Sequence, residues 1–427
     1  MPRLNDSCLA QFSYVSVLLS TVLLLTSIMG TTDLAAYELV EPFYAPRPLG
    51  MGGAFTAVAN DQSSVWTNPA GLARSKKPKA RQHINFSTFP NLVLGTNQEA
   101  LNFYTDLNSA SGGNKEEKVA KSLSGAVQTS GDTSKPLWAN LAANPLMFFS
   151  SGEYSSNSLG VFSKNTLQIS PDATVSTFSR VESVSDVGAL LGMAFGNKTN
   201  SLNFGLQVRP TVRYSYDGQM ESVTLLDKSA LKSKIMAEAN NGSGVGIDMG
   251  LLWTLPDFWF PTFGLAVFNL PTGCVNDELN PFSQKRETIC GMKFSGTVRN
   301  QESLYLVEPT DIRLGFSLTP RFDNKIAMKI AIDLQHLYIS LGSQSYGLPG
   351  VEASKLLHAG LEIFLGNPLQ ISPFALRVGY GQGFVSAGIS LRIKFLAIEF
   401  ATFGRDISST SSPKEDRRSL VSVSAEY

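Results

Sequence analysis

The stretch "TDIRLGFSLTPRFDNKIAMKIAIDLQ", Thr310 to Gln335, decides the fold class of this chain. In its first half Ile312, Leu314, Phe316 and Leu318 share one face of an extended segment, and Asp311, Arg313, Gly315, Ser317 and Thr319 share the other. The second half repeats the separation, with Ile326, Met328, Ile330, Ile332 and Leu334 against Lys325, Ala327, Lys329, Ala331, Asp333 and Gln335. Strands of soluble sandwiches usually run about five or six residues, whereas an oblique crossing of a bilayer takes about 9–11. The length of these alternating runs therefore favours an all-β membrane barrel over a soluble sandwich.

The same rhythm runs along the chain. Gly383–Lys394 repeats it, and Ser201–Tyr214, Gly244–Leu255, Thr262–Leu270, Lys355–Leu365, Pro373–Tyr380, Phe395–Phe403 and Ser419–Tyr427 are similar. Weaker cases are Gln82–Phe89, Ala100–Asp106, Leu159–Ile169, Val175–Val184 and Val187–Gly196, which brings the candidates to about 15. The apolar rows are expected to meet lipid, and Asp311, Arg313, Lys329, Asp333, Glu362, Arg377, Arg392 and Glu399 to point into the lumen. Both signs of charge occur there. A selectivity lining is one reading, and a ladder of cross-strand ion pairs that stiffens the wall is the preferred one. Trp253, Trp259, Phe260, Tyr380 and Phe403 suit interfacial girdles, although core packing uses the same residues. Short helices are expected in Asn114–Val127 and within Ser222–Asn241, as a cap over the barrel mouth or as ordinary surface helices.

Composition agrees. Charged residues make up 16% of the chain against about 25% in ordinary soluble domains. Val15–Ile28 is an apolar run of about 14 residues, short of the roughly 20 that a helical span needs. It follows Arg3 and precedes Leu34-Ala35-Ala36, so residues 1–36 read as a secretory signal, with a membrane anchor as the alternative. Net charge is zero, from 35 basic and 35 acidic residues, and a nucleic-acid partner is not expected. Cys8 falls in the signal. Cys274 and Cys290, 16 apart in a polar segment of an exported chain, read as a disulfide across one loop, with two free thiols as the alternative. No cysteine has a CxxC partner, and His83, His336 and His358 are scattered, so no metal is expected. The chain has no GxSxG elbow, phosphate-binding loop or dinucleotide fingerprint, and neither enzymatic activity nor a cofactor is expected.

One segment does not alternate. "RPLGMGGAFTAVANDQSSVWTNPAGLA", Arg47 to Ala73, is glycine-rich at one end and closes on Asn68-Pro69-Ala70-Gly71. It resembles the N-terminal signature of the FadL/PorV/TraF-like outer-membrane barrels, in which GMGGA precedes an acidic turn and NPAG. "NGSGVGIDMGLLWTLP", "FGLAVFNL", "IRLGFSLTPR" and "LRVGYGQGFVSAGISLR" look like strands of that group, in the expected order. The resemblance implies a transmembrane barrel of about 14 strands over residues 81–427, in the outer membrane, with residues 37–80 folded inside as a hatch. It implies passage of small hydrophobic, fatty-acid-like compounds in the FadL branch, or a PorV/TraF-like scaffold for a secretion or conjugation system with a protein partner. Membrane lipids and the barrel-assembly machinery are the other expected partners, the latter because the terminal "SLVSVSAEY" resembles a barrel-assembly signal. In such a hatch Gly50, Gly52 and Gly53 permit close backbone approach and Pro69 restricts Asn68 to a turn. A periplasmic arm is the alternative for the whole segment.

Overall fold

The computed structural model describes residues 39, 41–74, 91–109, 135–151, 154–171, 178–199, 201–221, 224–225, 227–256, 259–279, 286–299, 307–323, 326–341, 344–365, 373–393, 396–407 and 413–425. The signal region, Gln82–Phe89 and Asn114–Val127 lie outside them. Fourteen antiparallel strands close into a ring. In chain order they are β1 (Asn91–Asn97), β2 (Leu137–Ser151), β3 (Ser155–Pro171), β4 (Phe178–Gly196) and β5 (Leu202–Glu221). β6 (Asn240–Thr254), β7 (Thr262–Phe268), β8 (Asp311–Leu318), β9 (Ile326–Leu337) and β10 (Leu357–Leu365) follow. β11 (Phe374–Gly381), β12 (Phe384–Ile393), β13 (Leu396–Asp406) and β14 (Glu415–Ala425) complete the wall. Each strand pairs with the next, and β14 returns to β1 with Val421 opposite Leu94. No sheet edge is left in the ring, which is the condition for a sheet to stand in hydrocarbon.

Alternation sets the two faces. Leu314, Ile330, Ile332, Val385, Ile389 and Leu391 are exposed on the outside while Arg313, Ala331, Asp333 and Ser386 are buried within. On β5 the outer row runs from Leu202 to Tyr214. At about 3.3 Å per residue and a tilt of about 40° it spans roughly 30 Å, enough to cross the roughly 25 Å apolar band of a membrane barrel. Phe195, Phe204, Trp253 and Phe263 are exposed near one rim, whose connections are short, and the other rim carries the long connections 98–136, 222–239 and 269–310. Short turns mark the periplasmic side and long loops the cell exterior.

The wall is uneven in height. Strands β3, β4 and β5 have 17, 19 and 20 residues, against seven to nine in β7, β8, β10 and β11. The tall side rises past the bilayer. There its outer row, with Leu137, Ile169, Val181, Tyr216 and Met220, would meet water and is covered instead by two helices, Gln98–Ser109 and Lys228–Glu238. Ala100–Asp106, expected as a strand, is therefore helical. Asn97 ends β1 by turning its Oδ1 to the Ala100 and Trp138 amides, and Ala100 and Phe103 then pack on the outer row at helical spacing. The 269–310 connection forms, with Gln344–Tyr346 and Ile339–Leu341, a second five-stranded sheet at the exterior rim. A disulfide joins Cys274 to Cys290 in that sheet.

Candidate functional site

The lumen holds residues Glu41 to Arg74. This plug has almost no regular structure beyond the short helices Pro46–Gly50 and Ser64–Thr67 and a 3-10 turn at Pro69–Arg74, so its main chain needs partners. The wall supplies them strand by strand. Ser386 Oγ donates to Gly50 O (3.3 Å), Gln335 Nε2 to Gly53 O (2.7 Å), Ser317 Oγ to Ala57 O (3.3 Å) and Gln207 Nε2 to Val65 O (2.9 Å), while His358 Nδ1 lies 2.5 Å from Gly52 O. Asp333 Oδ2 accepts from the Phe55 and Thr56 amides at 2.8 and 2.7 Å.

Such contacts require main chain against main chain, and the wall is cut back to allow it. An inward glycine occurs on β5 (Gly205), β6 (Gly250), β7 (Gly264), β8 (Gly315), β10 (Gly360), β11 (Gly379) and β12 (Gly388), and β9 contributes Ala331. A Cβ on Gly388 would come within 3.1 Å of Gly50 Cα, on Gly360 within 2.5 Å of Met51 O, and on Gly264 within 2.6 Å of Thr56 O. On Gly379 it would overlap the Met51 main chain. On the plug side Gly52 and Gly53 take φ values of 68° and 89°, and a Cβ on Gly52 would run into the Tyr380 main chain. The NPAG motif has an equally local reason. Asn68 Nδ2 donates to Thr56 O (2.9 Å) and to Leu251 O of the wall (3.2 Å), and its Oδ1 accepts from the Ala70 amide (3.1 Å). Pro69 and Ala70 then lie on Gly205 and Gly250, and Gly71 lies against Ala59.

Charges fasten the plug as well. Arg47 reaches Glu362 with Nε and Nη2, both at 2.8 Å, and Glu362 also accepts from Arg377 Nε across the β10–β11 pair at 2.7 Å. Within the plug Arg47 pairs with Asp61 and stacks over Phe55 at 4.9 Å. Burial pushes the Asp61 carboxyl up, but Arg47 and the Ser63 hydrogen bonds hold it below the usual carboxylate range. Glu41 pairs with Arg405 at 3.0 Å and lies 3.8 Å from Arg313, which also pairs with Asp311. Lys329 lies over the Phe364 ring at 5.1 Å, Glu399 accepts from Ser390 at 2.8 Å, and Arg392 is half-buried near the periplasmic rim. The lumen charges thus bind the plug as well as each other.

The other side of the lumen carries an apolar cluster among buried polar groups such as Lys164, Asp186, Asp416 and Arg418. Phe43, Tyr44, Trp66 and Leu72 of the plug pack against inward Val93, Trp138, Met147, Phe162, Leu190, Phe403 and Leu420 of β1–β4, β13 and β14. Phe43 stacks on Trp66 at 4.7 Å, and Trp66 meets Phe162 edge-on at 5.1 Å. Phe403, a girdle candidate, is instead buried in this cluster, and Glu41, Arg47, Asp61, Arg405 and the rest of the cluster were not singled out from the sequence. The signal available was the recurrence of glycine at inward positions of successive strands, which marks a close backbone approach.

A closed fourteen-stranded ring with an apolar outer band and a lumen filled by its own N-terminal segment defines a plugged outer-membrane barrel. No known protein family and no curated protein sequence matches the chain. Its fold is that of the TodX/FadL type. A deltaS2 mutant of the TodX monoaromatic hydrocarbon channel superposes with a TM-score of 0.50 at 14% identity, over 90% of this chain and 99% of that one. The Pseudomonas putida toluene transporter TodX gives 0.46 at 13% identity over 90% and 97%, and a Pseudomonas aeruginosa FadL homologue 0.42 at 9% over 93% and 99%.

Proposed function

We propose that this barrel admits small hydrophobic compounds, fatty-acid-like or aromatic, across the outer membrane, and that residues 41–74 are the hatch that closes the path. The observation that carries the reading is the apolar cluster on one side of the lumen. Barrel interiors are ordinarily polar, and aromatic and aliphatic side chains from β1–β4, β13 and β14 suit a cargo that water does not dissolve. The fold shared with a hydrocarbon channel supports the same direction. The polar half would hold the hatch while cargo passes along the apolar cluster.

The test is uptake by cells whose outer membrane otherwise excludes a hydrophobic fluorescent probe. Expression should raise uptake of the probe and not of a sugar of equal size. Leu190→Gln, which places an amide in the apolar cluster, should lower uptake while leaving a folded, heat-modifiable band. Uptake that ignores both, together with stoichiometric co-purification of a protein, would replace this reading with the scaffold.

A further inference from the structure

We propose that the helix Lys228–Glu238, together with Gln98–Ser109, forms a collar that grips the phosphate-bearing glycolipid of the outer leaflet. The collar's place follows from strand alternation. Leu137, Ile169, Val181, Tyr216 and Met220 belong to the outward rows that lower in the same strands meet lipid at Leu141, Leu159, Val187 and Val212. Tyr214 is 50% exposed and Tyr216, the next outward residue, is 1% exposed. The helices therefore begin on the outside of the wall about 5 Å above the last lipid-facing tyrosine, at the depth of the headgroups.

The helix packs inward through Leu231 and Ile235 and turns Ser229, Lys232 and Met236 outward. Met236 is 64% exposed, and Tyr104 on the neighbouring helix is 63% exposed, so the outer stripe is apolar as well as basic. Lys232 and Lys234 outnumber the helix's own Glu238, while Asp227 is occupied as its N-cap, accepting from the Ser229 and Ala230 amides. Among the described residues no carboxylate pairs with Lys232, and Lys234 reaches only the Gln219 carbonyl. Arg299 donates to the Met236 and Ala237 carbonyls and adds a cation at the helix C-terminus. On the neighbouring helix Glu99 pairs with Lys135 at 3.4 Å, and exposed Asp106 is its other carboxylate. A basic stripe with apolar side chains at headgroup depth, continuous with the membrane band, fits an anionic lipid surface.

The full-length barrel would be placed in phosphatidylcholine vesicles with and without lipopolysaccharide, and the temperature at which the folded gel band is lost would be recorded. Lipopolysaccharide should raise that temperature for the wild type. Lys232→Glu/Lys234→Glu should lose most of the rise and weaken retention of labelled lipopolysaccharide at least about fivefold per charge, the attraction expected of one lysine near an anionic surface. The transition in phosphatidylcholine alone should not move for Lys232→Glu by itself, because Lys232 is off the packed face. For the wild type the rise should shrink in high salt. An equal rise in the variant or at high salt would overturn the proposal, as would cross-linking of two barrels through this helix, which would assign the stripe to self-association.

Discussion

The two halves of the lumen hold the same plug by different physics. From β5 to β12 the wall offers inward glycines, hydroxyls, amides and paired charges, and the plug lies on it main chain to main chain. From β13 through β14 to β4 the wall adds an aromatic and aliphatic cluster that the plug meets with Phe43, Tyr44 and Trp66, beside fewer polar contacts such as Glu41–Arg405 and Lys164 on the Pro42 carbonyl. Directional, short-range contacts on the first side fix one position. Apolar packing on the second is non-directional and roughly proportional to area, so another apolar molecule can replace it. Under the proposed function that difference would make one side a seat and the other a path.

The largest effect expected from breaking the seat comes from Glu362→Ala. It leaves Arg47 with Asp61 alone and Arg377 with Glu399 at 3.5 Å, and breaking a buried pair costs up to about 3–5 kcal/mol. The outcome should be a barrel that still shows heat-modifiable mobility but leaks hydrophobic probes. Gly52→Leu tests the same side through shape. Overpacking against the Tyr380 main chain should cost the seated plug about 1–3 kcal/mol, read as greater protease access to residues 41–74 with the barrel band unchanged. The smallest effect is pH. Asp61 titrates below the usual carboxylate range when the plug is seated, so its contribution is complete above about pH 4 and is lost as pH falls through the lowered value. Leak should rise on acidification below that point, and Asp61→Asn should leak at neutral pH and lose part of the acid response.

The same asymmetry explains what could be read from sequence. Strands facing the polar half, such as β8 and β9, alternate cleanly because one row is charged or glycine and the other apolar. On β1 and β2 the contrast fades, because inward Val93, Trp138, Ala142 and Met147 alternate with outward Leu94, Leu141 and Leu146. Leu137–Ser151 and Asn91–Asn97 were not expected as strands. Trp138, Met147 and Val93 point inward, and the register shifts between Ala143 and Leu146, around Pro145. The weaker candidates Leu159–Ile169 and Val187–Gly196 belong to β3 and β4 on the same side. The glycine and NPAG signature of the plug was visible, but its ion pairs were not. Arg47 and Glu362 are 315 positions apart, and nothing local in either segment specifies the other.

The most direct test of a seated plug beside an apolar path is to tether the plug and ask whether cargo still passes. Gln62 of the plug and Ser424 of β14 touch at 3.5 Å near the periplasmic rim, so Gln62→Cys/Ser424→Cys places two thiols within reach of a short bis-maleimide. Probe uptake would be compared between barrels cross-linked by that reagent and barrels capped with N-ethylmaleimide, with folding checked by gel mobility. Loss of uptake on cross-linking, with normal uptake after capping, is the predicted result. Cross-linked barrels that carry the probe as fast as capped ones would contradict the account.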